Sequence, residues 1–122
     1  MNLGETGKKG EDMVAAFLRK KGCTVVKRNY TCRFGEIDII AKTGGLLLFV
    51  EVKTRESDAL VSPAESVDAK KVNRIRLAAN DYLSKKGAET GLQPRFDVAE
   101  VTVTQNAEGK TSYSLNYIKN AF

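Results

Sequence analysis

The chain contains no histidine. That removes the Ser-His-Asp and Cys-His nucleophile systems, together with the histidine-bearing zinc sites. Cysteine is nearly as scarce. Cys23 and Cys32 flank an expected strand and lack Cys-x-x-Cys spacing, so they supply neither a disulfide framework nor a zinc site and read as reduced bystanders. Long apolar runs are missing too. The longest, Leu46 to Val50, is far short of the roughly 20 residues that a membrane-spanning helix needs. Met1 to Gly10 has no apolar core of a secretory signal, which leaves the cytoplasm as the expected location and no membrane as partner. Hydrolytic chemistry in such a chain has to rest on carboxylates, lysine or a hard cation.

With 122 residues, 42% hydrophobic and 29% charged, the composition suits one domain over residues 1–122 with a single core. The net charge of +5 makes a polyanionic partner plausible. Many mildly basic proteins bind none, so charge alone decides nothing.

Neither an internal repeat nor a low-complexity tract interrupts the chain. Glu11 to Lys21 reads as a helix with Val14, Ala15, Phe17 and Leu18 on one side and Gly22 ending it. A start as early as Gly4 would place Gly7 and Gly10 in the helix interior, each costing about 1 kcal/mol relative to alanine. Strand-like runs follow at Thr24 to Tyr30, Glu36 to Lys42 and Leu46 to Lys53, the last two split by Thr43-Gly44-Gly45, a tight hairpin signal. Thr54 to Pro63 reads as a polar loop. A second helix is expected over Asp68 to Lys86, with Val72, Ile75, Ala79, Tyr82 and Leu83 at helical spacing and Gly87 closing it. Pro94 precedes a strand from Arg95 to Thr104. Asn106 to Gly109 then turns the chain into a last strand, where Tyr113, Leu115 and Tyr117 alternate with polar residues. The order αβββαββ predicts an α/β fold: a mixed sheet with helices packed on it.

The hairpin carries the chemistry. A turn centred between Gly44 and Gly45 sets Asp38 opposite Glu51, Glu36 opposite Lys53, and Ile40 opposite Phe49. Directly opposed residues have Cβ atoms roughly 4.5–5.5 Å apart. Two carboxylates that close repel, unless one is protonated or a cation lies between them. Glu51 and Lys53 also share a strand face with Leu47 and Phe49, so that face begins apolar and ends charged. Oxygen donors without His or Cys favour Mg²⁺, or Mn²⁺ in its place, over zinc. Water activated at such an ion can attack phosphorus, while Lys53 orients it or steadies the developing negative charge. Glu11 falls on the buried-facing stripe with Val14, Ala15 and Leu18, where an acid serves packing poorly. Blander explanations exist for each residue. Glu36 and Lys53 could be a plain cross-strand ion pair, and Glu11 could merely favour the positive end of a helix starting near Gly10.

Asp38 followed by Glu51-Val52-Lys53 resembles the PD-(D/E)XK nuclease pattern. More of the chain resembles the YraN-like family of small bacterial proteins, which are similar to archaeal Holliday-junction resolvases. The stretches that carry the likeness are Gly10-Glu11, Arg28-Asn29, Gly35-Glu36-Ile37-Asp38, Phe49 to Arg55, Lys71 and Arg95-Phe96-Asp97-Val98. The resemblance implies a restriction-endonuclease-like fold and Mg²⁺-dependent cleavage of DNA phosphodiester bonds, with Glu11, Asp38, Glu51 and Lys53 as catalytic residues. It implies Asp38, Glu51 and the Val52 carbonyl as metal ligands. Resolvases of this kind act as homodimers on branched DNA, so a homodimer is also an expectation, although no added dimerisation segment is evident.

For nucleic-acid contacts the candidates are Arg33, Lys42, Arg55, Lys70, Lys71, Arg74 and Arg76. Lys71 shares a helix face with Ile75, Ala78 and Tyr82 and so points towards the site. The other basic residues of that helix could be only its solvated side. Asp97 could hold Arg95 or Lys71 in place, or only cap a sheet edge. Three functions fit: a structure-selective Mg²⁺ endonuclease, favoured by the opposed acids; a nucleic-acid-binding module that keeps the fold but cleaves poorly or needs a partner; and a metal-binding or purely structural interaction protein.

Overall fold

The computed structural model describes residues 3–56, 68–85 and 91–122, with side chains from residue 7 onward. The elements are α1 (Leu3–Lys20), β1 (Thr24–Cys32), β2 (Gly35–Thr43), β3 (Leu46–Glu56), α2 (Ala69–Lys85), β4 (Gln93–Gln105) and β5 (Thr111–Ile118). The strands form one sheet in the order β1-β2-β3-β4-β5. All neighbours are antiparallel except β3 and β4, which run parallel. A parallel pair needs a crossover, and α2 lies in it. This is the mixed sheet with flanking helices, in the order αβββαββ, that the restriction-endonuclease-like arrangement requires.

Period-two alternation gives each face of the sheet its own core. Ile39, Ala41, Leu48, Val50, Ala99 and Val101 pack with Val14, Ala15 and Leu18 of α1. Ile40, Leu47 and Phe49 pack on the other face with Ala78, Ala79 and Tyr82 of α2. Ile37 belongs to the α2 cluster whereas Ile39, two residues on, belongs to the α1 cluster. Asp38 therefore lies where β2 changes the layer that its side chains serve.

The hairpin turn is as tight as its two glycines suggest. Thr43 pairs with Leu46, and Gly44 takes a φ of 55°, the left-handed value that a primed two-residue turn demands. The pairing of Ile40 with Phe49 follows, but the β2–β3 ladder ends at Ile39 with Val50. The expected backbone pairs Asp38–Glu51 and Glu36–Lys53 do not form. Glu36 is opposite Thr31 on the β1 side, and the ion pair of Lys53 is with Glu51, so no cross-strand Glu36–Lys53 ion pair forms.

Boundaries also differ from expectation, and β1 runs on to Cys32. β3 continues through Thr54, Arg55 and Glu56 because β4 offers parallel partners there, Val101, Thr102 and Val103; this corrects the first part of the expected Thr54–Pro63 loop, and Ser57 to Pro63 lie outside the described residues. Pro94 sits within β4 rather than ahead of it, opposite Leu47 near the strand's start, where a missing N–H is least costly. Asp68 caps α2 by accepting from the Lys71 backbone N–H at 2.9 Å. The expected end of that helix at Lys86 and Gly87 lies outside the described residues.

Helix α1 begins at Leu3, a full two turns before Glu11. Glu11 is thus a mid-helix residue, and the positive helix end does not explain it. Gly10 is buried, and a Cβ there would collide with Thr54 Oγ1. The helix accepts a poor helix former at this position because only glycine lets α1 come so close to β3. Gly10→Ala should accordingly lower the melting temperature. In a Thr54→Ala background, with the obstructing hydroxyl removed, the same change should become stabilising by about 1 kcal/mol. Thermal unfolding of the four proteins of this double-mutant cycle checks it. Independent, additive effects would contradict the close approach.

Candidate active site

The far half of β3 brings the site together. Leu47 and Phe49 are buried against α2, and Glu51 and Lys53 continue the same face, with side chains only 7% and 12% exposed. Glu51 Oε1 receives Lys53 Nζ at 3.3 Å and Lys71 Nζ at 2.9 Å. Lys71 reaches it from the first turns of α2, one turn ahead of the buried Ile75. A nearly buried carboxylate is stabilised by two ammonium groups that converge on one oxygen.

Asp38 is placed differently. Its Oδ2 accepts the Val52 backbone N–H at 2.7 Å, so where the ladder stops, a side chain takes the place of the next strand's carbonyl. Burial and the Glu51 carboxylate raise its pKa to about 7, against the lowering effect of the Val52 hydrogen bond, with smaller contributions from Glu11 and Glu36. Asp38 borders a cavity of about 220 Å³ on the α2 side, shared with Glu36, Glu51, Lys71 and Arg74. It also borders one of about 250 Å³ on the α1 side, shared with Glu11, Val52 and Thr54. Its carboxylate is therefore reached from both layers.

Glu11 is oriented by residues on β1. Its Oε1 accepts Arg28 Nε at 2.9 Å and Asn29 Nδ2 at 3.1 Å. Arg28 also donates to Asp12 at 2.6 Å, and these acids hold its pKa above the ordinary value, Asp12 most strongly, against the opposing effect of burial. Asn29 adopts a φ of 52°, a left-handed conformation that Asn tolerates better than most residues. In the sequence Arg28 and Asn29 belong to the family-like stretches and carry no assigned role. Neither the contact across 17 and 18 positions nor the left-handed turn leaves a local signal.

The two lysines differ. Burial and the neighbouring Lys71 hold Lys53 below its usual range, although Glu51 opposes this. Burial works against the charge of Lys71 as well, but its hydrogen bonds with Lys53 and Glu51 outweigh it and the pKa rises. Lys53 is thus the lysine better able to give up a proton.

The donors suit a small hard cation. Among the described residues no group of three His, Cys, Asp or Glu side chains is close enough to hold a metal. Asp38 and Glu51 supply two carboxylates, and Val52 is the residue whose carbonyl would join them. Mg²⁺ commonly takes one or two carboxylates and fills its other positions with water and substrate oxygens. Asp38 is half-buried, its pKa is raised, and the donor that it accepts from is a neutral backbone amide. It is the group that a cation would relieve.

The candidate phosphate contacts divide. Lys71 and Arg74 border the α2-side cavity. Arg55 lies two residues beyond Lys53 on β3, and Lys70 is exposed in the first turn of α2. Arg33 sits in the β1–β2 turn, stacked on Phe34 at 4.7 Å, next to the Gly35–Glu36 edge of that cavity. Two candidates are not gathered here. Lys42 is at the hairpin end of β2, about 13 Å along the strand from Asp38. Arg76 lies over the Phe96 and Phe122 rings at 5.1 and 6.0 Å, where its flat cation finds aromatic faces.

A family model described as "Uncharacterised protein family UPF0102" matches residues 10–101. The chain belongs to the UPF0102 family. The match takes in Glu11, the β2–β3 hairpin, Lys71 and Asp97, and it accords with the YraN-like resemblance. Similar UPF0102 proteins occur in Dictyoglomus turgidum, 42% identical over 122 residues and 100% of both chains. One from Hahella chejuensis is 43% identical over 97% of this chain and 90% of its own. Another, from Pelotomaculum thermopropionicum, is 40% identical over 95% of this chain and 93% of its own. No helix among the described residues is long and apolar enough to cross a membrane.

The Asp38 environment gives this UPF0102 protein a stability signature in metal-free buffer. In the unfolded chain Asp38 ionises at about pH 4; in the folded protein it does so at about pH 7. Between those values the folded state holds the extra proton, so stability falls as pH rises through the window and the penalty is complete above about pH 7. Asp38→Asn keeps an acceptor for the Val52 N–H and removes the charge. It should melt several degrees above wild type at pH 8, with the difference closing towards pH 5, in thermal scans with chelator present. A variant that melts well below wild type at pH 8 would mean that Asp38 stabilises the fold as a carboxylate.

Proposed function

We propose that the protein is a divalent-metal-dependent endonuclease that hydrolyses DNA phosphodiester bonds, selective for branched or junction DNA. The observation that carries this is the half-buried Asp38 carboxylate beside Glu51, where it borders cavities on both helical layers. Packing gains nothing from two acids there, whereas phosphoryl transfer needs oxygen ligands facing a cleft.

Asp38, Glu51 and the Val52 carbonyl would hold Mg²⁺, or Mn²⁺ in its place. When bound, the ion supplies Lewis acidity and lowers the pKa of water beside the phosphate. The rest is work for this chain's own side chains. Lys53, steadied by Glu51 and low in pKa, orients the attacking water and takes up its proton. Glu11, fixed by Arg28 and Asn29, faces the same Asp38 from the α1 side and aligns water there. Lys71 and Arg74 border the opposite cavity and meet the non-bridging oxygens. Such contacts bind the backbone without reading sequence, which fits selection by DNA shape and a homodimeric arrangement of two such clefts.

A second function has an observation in its favour. Both lysines occupy Glu51 Oε1, the atom a cation would use, as suits a nucleic-acid-binding module that keeps the fold without cleaving. Cleavage of linear, flapped and four-way-junction DNA with Mg²⁺ by wild type and Glu51→Ala separates the two. The endonuclease should cut a branched substrate, and the variant should lose about a hundredfold or more in rate while binding the same DNA as tightly. Binding without cleavage by wild type would favour the module, and equal cleavage by both proteins would overturn the site.

A further inference from the structure

A third cavity, of about 350 Å³, lies on the α1 side at the other end of the sheet, bordered by Phe17, Lys21, Cys23, Arg95, Tyr117 and Lys119 among others. We infer that it is a second phosphate-binding site, engaging the backbone of the same nucleic acid some distance from the Asp38–Glu51 pair. The inference rests on the nucleic-acid partner proposed above and adds residues that no part of that proposal uses.

Arg95 is its fixed element. Asp97, 0% exposed, receives Arg95 Nε and Nη2, each at 2.9 Å, on its two oxygens. The same carboxylate accepts the Tyr117 hydroxyl at 2.6 Å and the Asn120 backbone N–H at 2.9 Å. This network ties β4 to β5 and the C-terminal turn, which is a sufficient structural role for Asp97. It also holds a guanidinium rigid at the cavity wall. A guanidinium has five N–H donors, so donors remain beyond those that Asp97 and Tyr117 take. An arginine held from behind by a carboxylate loses little freedom when it meets an oxyanion.

Charge comes from elsewhere, because Asp97 balances Arg95. Lys21 and Lys119 are exposed and border the same cavity, and among the described residues no acidic side chain lines it. Lys21 lies over the Phe17 ring at 5.7 Å, and a lysine just past a helix C-terminus is also favoured by the dipole. That accounts for Lys21 but not for Lys119. Nor does the helix end repel an anion with bare carbonyls: those of Phe17, Leu18 and Arg19 accept from Lys21, Cys23 and Gly22.

The spacing suits a duplex. Five residue steps along β3 lead from Leu46, at this cavity, to Glu51, about 17 Å at strand rise. A major groove about 12 Å wide between its phosphate walls sets phosphates of the two strands at a comparable separation on one face of a duplex, once the phosphate radii on either side are added.

Arg95 is left intact in the test, because its loss would leave a buried carboxylate unpaired. Binding of a 20-base-pair duplex is measured by fluorescence anisotropy over a salt series for three proteins: wild type, Lys21→Gln/Lys119→Gln, and a charge-matched control, Lys27→Gln/Lys110→Gln, altered at exposed positions away from the cavity. The cavity variant should bind about tenfold more weakly at 50 mM salt, with its log–log salt slope shallower by about 0.9 for each phosphate that it no longer neutralises, and the control should match wild type. Equal weakening of both variants, or none in the cavity variant, overturns this site and leaves the proposed function standing. A wild type that binds no duplex even at low salt overturns the nucleic-acid partner itself, and this site with it.

Discussion

Everything in the site depends on one hydrogen bond, from the Val52 backbone N–H to Asp38 Oδ2. A backbone donor inside a sheet needs an acceptor, and where β2 parts from β3 the acceptor is a carboxylate instead of a carbonyl. That substitution lets the sheet open without orphaning the Val52 N–H. It also fixes a negative charge between the two helical layers, close to Glu51. The rest follows from accommodating it: Lys53 and Lys71 converge on Glu51, Arg28 and Asn29 restrain Glu11, and Gly10 lets α1 close over Thr54. A fold under no functional constraint would keep an acceptor for the Val52 N–H without the charge, as asparagine would.

Electrostatics sets two aspartates of the sheet apart. On β2, Asp38 has its affinity for a proton or a cation raised by burial and by the nearby Glu51, Glu11 and Glu36. On β4, opposite Val50 and one step from the level of Glu51, lies Asp97, a fully buried acid whose four hydrogen bonds leave it nothing further to bind. Two aspartates on one sheet thus differ in role, because the chain supplies a full set of donors to one and not to the other. Burial alone marks neither as functional. The unmet demand of Asp38 does.

How much of this is legible in the sequence follows the same physics. The order of elements, the hairpin register through Ile40–Phe49, and the approach of Lys71 can be read because each depends on a local period or a local turn. The register holds until Asp38, where a side chain outcompetes the ladder, and no pattern of alternation announces that. Gly7 and Gly10 obscure the start of α1, since their low propensity argues against helix; the compensating contact, Gly10 against Thr54, comes from a distant part of the chain. Thr54 to Glu56 look like loop from their own composition and become strand because β4 is there to pair with them. Lys42 and Arg76 join the site's candidates by charge alone, and charge carries no direction. The sequence allows Asp97 either Arg95 or Lys71 as a partner, and Arg95 is the one it holds. Tyr117 and Asn120 cannot be inferred, since they arrive from the chain's far end.

The Asp38–Glu51 pair, on this view, is built to receive a divalent cation in exchange for a proton. The decisive measurement is isothermal titration of Mn²⁺ into wild type and Asp38→Asn/Glu51→Gln near pH 6.5, with and without duplex DNA, in two buffers of different ionisation heat. Wild type should bind, with a buffer-dependent heat that reports proton release from Asp38, and the double variant should not. Equal binding by both proteins, or no binding by wild type even with DNA present, would contradict it.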